Sequence, residues 1–190
     1  MGRIEFDQEQ RAVKLSRPEI EADSWAFALD VYARPGIADA CLKLQNEAGV
    51  DVMILLMVTF ALTRHRILLT PAEIRKLDEA CLPWREQIVR PLRAIRSGLK
   101  SGPRPAPSSE TEQFRSKVKS LELAAERLQN RLLADSLPLR PGKDVVSPQD
   151  LRSALASVVT LFLDRRENKS IAGLVSSIDL IVDAAMPGAR

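Results

Sequence analysis

Residues 52–62 read VMILLMVTFAL, and wound as a helix they are apolar on every side. A helix of this kind has no face to offer water, so other elements must enclose it. At 11 residues with one threonine it is also too short to cross a bilayer, which takes about 20. Its ends are marked. Asp51 is placed to cap the free N–H groups of the first turn. Arg64-His65-Arg66 put positive charge where a helix C-terminus favours it. The rest of the chain must supply enough amphipathic helices to surround this segment.

Composition agrees. Apolar residues make up 45% of the chain and aromatics only 4%, so Ala, Leu and Ile provide the bulk, and Ala and Leu are strong helix formers. No stretch alternates apolar and polar residues as a half-buried strand would. The expected fold is all-α: a helical bundle of about five helices, followed by a heptad-patterned helix and a C-terminal αα-hairpin. Residues 1–22 mix charges without a period and are expected to form a loose N-terminal arm. Residues 23–100 form the helical core domain, in which Trp25, Leu29 and Tyr32 share one face of a helix over 25–33. Pro35-Gly36 breaks it and starts the next helix, and Gly49 ends that one. Thr70-Pro71-Ala72-Glu73 is a capping box with Pro in the first turn, and its helix is expected to stop before Pro83. A new helix then runs to about Leu99, burying Trp84, Ile88, Leu92, Ile95 and Leu99, with a bend at Pro91. Residues 101–109 are a Ser/Gly/Pro linker. An amphipathic helix over 110–135 follows, with Phe114, Val118, Leu121, Ala125, Leu128 and Leu132 as its seam. A second linker covers 136–147. The hairpin, 148–186, opens on another cap at Ser147-Pro148-Gln149-Asp150.

The net charge of +3 is local in origin. Residues 85–104 carry Arg85, Arg90, Arg93, Arg96, Lys100 and Arg104 against Glu86 alone, a balance of +5 that leaves −2 for the rest. At 100° per residue, Arg85, Arg90, Arg93, Arg96 and Lys100 fall within an arc of roughly 140°. They are expected to form an anion-facing or partner-facing surface opposite the apolar stripe. No aromatic interleaves with them, which argues against a nucleic-acid site.

Catalytic constellations are absent from the pattern. His65 is the only histidine and the two cysteines, Cys41 and Cys81, are far apart in sequence, so neither a metal site nor a Cys–His nucleophile is expected. Glycines are dispersed, without a phosphate-binding loop. No cofactor is implied. Two cysteines and an acidic N-terminus without an apolar run point to a cytoplasmic protein. The densest polar segment is 32–51. Pro35-Gly36, Gly49 and Asp51 are explained there by turns and caps, but Tyr32, Arg34 and Gln45 are not. A pocket beside the buried helix would be lined by Trp25, Tyr32, Arg34, Gln45 and Asp51.

Several blocks occur in an order that resembles a known family. These are Trp25-Ala-Phe-Ala, Tyr32-Ala-Arg-Pro-Gly-Ile, Cys41-Leu-Lys-Leu-Gln and Gly49-Val-Asp-Val with Leu55-Leu. Pro83-Trp84-Arg85, Arg90-Pro91-Leu92-Arg93 and Leu121-Glu-Leu-Ala-Ala-Glu-Arg follow. They match the pattern W-x-F-A, Y-x-x-P-G-V, C-L-x-L-Q, G-x-D-V-N-x-L-L of small proteobacterial proteins that share a domain of unknown function. The resemblance spans about 24–133. It implies membership and no mechanism. Met53 departs from the pattern, which commonly has Asn there, and residues 136–190 resemble an addition to it.

Three functions follow as expectations. The first is a non-enzymatic helical interaction or adaptor protein, with a protein partner or self-association through the basic face and the heptad helix. The second is a small-ligand-binding protein or enzyme with a pocket near Tyr32, Gln45 and Asp51. The third is RNA or anionic-surface binding through 85–104.

Overall fold

The apolar segment folds as α3 (Val52–His65), and every residue from Met53 to Leu62 is buried. Asp51 caps it: its Oδ1 accepts from the Met53 and Ile54 N–H groups at 2.8 and 3.2 Å. A cap of this kind is worth about 1 kcal/mol. Each fully buried Leu, Ile, Met or Phe contributes about 1.5–3 kcal/mol. Packing therefore holds α3 in place, and the cap fixes where it begins.

The computed structural model describes residues 16–164 and 170–186, and among them every regular element is helical, with no strand. Around α3 lie α1 (Arg17–Tyr32), α4 (Pro71–Trp84), α6 (Ser109–Ser136) and α7 (Pro148–Leu163). Outside them, α2 (Ile37–Ala48) packs against α8 (Val175–Ala185), which follows a 3-10 turn at Ile171–Leu174 and pairs with α7 as a hairpin. Gly36 lets α2 start this close to α8. Its φ is +78°, and a Cβ there would stand 3.0 Å from Leu180. One continuous apolar core runs through these helices, from Ile20 to Val182. The segments read as linkers do separate helices, but those on either side of the second, α6 and α7, share that core.

The second of these segments is fastened down. Arg140 donates to the Leu68 carbonyl at 2.8 Å and pairs with Glu73, and the Lys143 N–H donates to the Arg66 carbonyl at 2.8 Å. Gly142 lies so close that a Cβ would fall 2.3 Å from the His65 carbonyl oxygen.

Three expectations are corrected. First, α1 begins at Arg17, not at Trp25, so the loose arm does not extend to residue 22; residues 1–15 lie outside the described residues. Ser16 and Glu19 start the helix, the Glu19 carboxylate accepting from the Ser16 N–H and hydroxyl at 2.7 Å each. Arg17 then donates to the Ala134 and Leu137 carbonyls at the end of α6, at 2.6 and 2.7 Å, the end of a helix that favours a cation.

Second, the α4 helix does not stop at Pro83. It continues through Trp84 into a π-helical turn, Arg85–Val89, and then α5 (Arg90–Gly98). The Arg90 N–H donates to the Arg85 carbonyl, five residues back. Pro91 supplies no N–H, and its ring would strike a carbonyl in an ordinary turn; the wider π turn gives it room.

Third, the faces of α5 and α6 are not those the apolar spacing suggests. Ile88 and Ile95 are exposed, Ile95 by 48%, whereas Arg85 is 4% exposed and Val89 is buried. On α6 the inward stripe is Val118, Glu122, Ala125, Gln129 and Leu133. Phe114, Leu121 and Leu128 of the expected seam lie at the surface, Leu121 by 59%.

Candidate functional site

α1, the α2–α3 junction, the π turn, α5 and α6 surround a cavity of about 730 Å³. Its floor is ionic and buried. The Arg85 Nη1 donates to Asp78 Oδ1 at 2.7 Å and to Asp51 Oδ2 at 3.1 Å. Asp51 Oδ2 also accepts from Gln129 Nε2 at 2.6 Å. Both oxygens of Asp51 are thus used twice, one by the helix cap and one by this network. The Arg85 guanidinium lies 5.5 Å from the Phe162 ring centroid. Burial works against the charge on Arg85, but the two aspartates outweigh it and hold its pKa above the ordinary value. Cys81 sits in the same network, and burial, aided by the Asp51 charge, pushes its thiol up to about 12. Burial does the same to Cys41, also to about 12. Neither is a thiolate at neutral pH.

One wall is a second ionic cluster. Arg93 reaches Glu122 at 2.8 Å and also bonds Glu126 and the Gln45 side-chain oxygen. Arg96 pairs with Glu122 through both Nε and Nη2. The two glutamates are one helical turn apart on α6, and their environments drive them in opposite directions. Burial alone would raise Glu122, but its bonds to Arg96 and Arg93 prevail and hold it below the usual carboxylate range. For Glu126, burial prevails over its single guanidinium partner and raises it. Two carboxylates in one cavity with separated pKa values can divide proton-holding and charge-holding roles. Burial also raises the Tyr32 phenol, which remains a neutral donor.

The rest of the lining is largely apolar: Trp25 and Leu29 from α1, Leu42 from α2, Met53 and Leu56 from α3, and Leu123 from α6.

Of the residues singled out in the sequence, Trp25, Tyr32, Gln45 and Asp51 line this cavity, and so do Arg85, Arg90, Arg93 and Arg96. The two candidate groups, read as separate, meet at one place. Arg34 does not join them: it bonds Asp30 and the Ala184 carbonyl, tying the end of α1 to α8. Lys100 is exposed and does not line the cavity. The arginines do not make a single solvated face, since Arg85 is buried and Arg93 and Arg96 turn to the carboxylates of α6.

Sequence reasoning missed Asp78, Glu122, Glu126 and Gln129. A signal for Arg85 and Asp78 existed. Leu77, Cys81 and Arg85 continue one stripe at intervals of four once the helix passes Pro83. For Glu122 and Glu126 the pointer was the Leu121–Arg127 block of the family resemblance.

Among the described residues, no group of three or more His, Cys, Asp or Glu is arranged to hold a metal ion. No helix among them is long and apolar enough to cross a membrane. Neither a curated protein nor a solved structure matches the chain. A family model does, over residues 23–133, which takes in most of α1, all of α2 to α5 and nearly all of α6, and so every residue of the two ionic clusters. The chain belongs to the family described as "Protein of unknown function (DUF2390)".

Proposed function

We propose that the protein binds a small molecule in the cavity between α1, the start of α3, α5 and α6. The observation that carries this reading is the cavity itself. Its volume is in the range of small-molecule sites, about 300–1,000 Å³. Its lining combines apolar side chains with positioned ionic ones. Charged groups taken out of water in this number are a poor way to stabilise a fold, because desolvation offsets most of the attraction. They are a good way to hold polar atoms in fixed positions for a ligand. The reading is tested by thermal melting against a panel of metabolites, where a ligand at 100 times its Kd adds about 2.7 kcal/mol. Any member that raises the melting temperature of the native chain must lose its effect in Gln45→Ala and Glu126→Gln. A panel-wide absence of shifts, or shifts that survive both substitutions, contradicts the reading.

A second reading, a helical adaptor or self-associating protein, is supported by Phe114, Leu121 and Leu128, which share an exposed stripe on α6. Its measure is the mass in solution of the native chain and of Leu121→Ser/Leu128→Ser.

A further inference from the structure

The cavity's polar groups are unevenly matched. Arg93 and Arg96 pair with Glu122 and Glu126, and Lys119, exposed to solvent, lines the same cavity, so these residues carry one cation more than carboxylates. Arg93 uses all three of its nitrogens on protein partners, and Arg96 uses two. Lys119 makes no hydrogen bond or ion pair among the described residues. Neither does the Tyr32 hydroxyl or the Trp25 indole N–H, and the Gln45 amide nitrogen likewise donates to none of them. Donors therefore stand open around the cavity. The carboxylate oxygens are largely taken: both of Asp51 and both of Glu122 accept bonds, and only Glu126 has one oxygen without a partner.

Open donors ask for acceptors, and an unmatched ammonium asks for negative charge. Lys119, Glu122 and Glu126 stand on successive turns of α6, so Lys119 lies at the end of the ionic row. Leu123 is on the following turn from Lys119, and both line the cavity together with Trp25 of α1. A molecule seated on this row would have its charge at Lys119 and Arg96 and its body on the apolar lining.

We propose that the cavity takes a small amphipathic molecule carrying an oxyanion, either a carboxylate or a phosphate, held by Lys119 and Arg96 with its apolar part against Trp25 and Leu123. This rests on the ligand-binding reading above and names its ligand class. Isothermal titration of the full chain tests it with compounds of one skeleton: 1-naphthoate, 1-naphthyl phosphate, the neutral 1-naphthamide and the cationic 1-naphthylmethylammonium, with inorganic phosphate as the headgroup alone. The expected result is that at least one of the two anions binds tighter than the amide by about tenfold or more, the effect of one charge-assisted hydrogen bond. Comparison of naphthoate with naphthyl phosphate and inorganic phosphate assigns the headgroup. Lys119→Glu should remove this preference, and because Lys119 has no partner to lose, that variant should fold and melt like the native chain. Arg96→Ala should weaken the anions and leave the amide unchanged. Equal or tighter binding of the amide or the ammonium overturns the oxyanion assignment and leaves the ligand-binding reading standing. Anion binding that survives Lys119→Glu overturns the assignment too. No binding by any compound overturns the oxyanion assignment, and the melting panel then decides the ligand-binding reading.

Discussion

The side of α3 that meets α7, with α2 and α8 beyond it, and the side that meets α4 and α6, with α5 beyond it, are built on different principles. The first is apolar against apolar: Val158 and Val159 of α7 and Ile178 and Ile181 of α8 join α3 and α2 in the core. The second puts Arg85, Asp51, Asp78, Glu122 and Gln129 inside and leaves Ile88, Ile95, Leu121 and Leu128 outside. Apolar packing has no direction and tolerates small shifts, so it supplies stability. A buried ionic network holds its atoms at fixed distances but adds little net stability, since desolvation cancels much of the Coulomb gain. The cavity opens on the second side, where position matters.

Breaking the ionic side should have the largest effect. Arg85→Ala leaves Asp51 and Asp78 buried without their cation, which should cost about 3–5 kcal/mol in urea unfolding. The paired change Arg85→Met/Asp78→Leu should recover much of that loss. If Arg85→Ala costs less than about 1 kcal/mol, comparable to an exposed ion pair, the network is not buried as described. The smallest effect sharpens the contrast from outside. Ile95→Ser and Leu121→Ser, on the faces that the apolar spacing assigns to the core, should each change stability by less than about 0.5 kcal/mol in dilute solution. A loss of about 2 kcal/mol or more, as for a core residue, would restore the faces expected from sequence.

The apolar side was legible in the sequence because its signals are local. The all-apolar run, the Asp51 cap, the glycine stop at Gly49, the Thr70–Glu73 box and the C-terminal hairpin each depend on neighbours within one or two turns. The start of α1 was legible in the same way, at Ser16-Arg17-Pro18-Glu19, and the scatter of charges around it concealed it. The ionic side was not legible. Its residues face inward because of partners distant in the chain: Glu122 turns in because Arg93 and Arg96 are there, and Gln129 because Asp51 is. Counting apolar positions on α6 favours Leu121 and Leu128 and cannot register a buried glutamate. Reading Pro83 as a stop also cut Arg85 from the stripe of Leu77 and Cys81. As a result, Trp25, Tyr32, Gln45 and Asp51 stood in one group and the arginines in another, although all but Lys100 and Arg34 line the same cavity.

The most direct test replaces the ionic wall with apolar side chains of similar size, Arg93→Met, Arg96→Met, Glu122→Leu and Glu126→Leu together, and measures unfolding free energy and ligand-induced melting shifts on the same protein. If the wall serves binding and not stability, the variant folds, is as stable as the native chain or gains about 1–4 kcal/mol, and no longer responds to compounds that stabilise the native chain. A variant that fails to fold, or one that keeps the native response, would contradict the account.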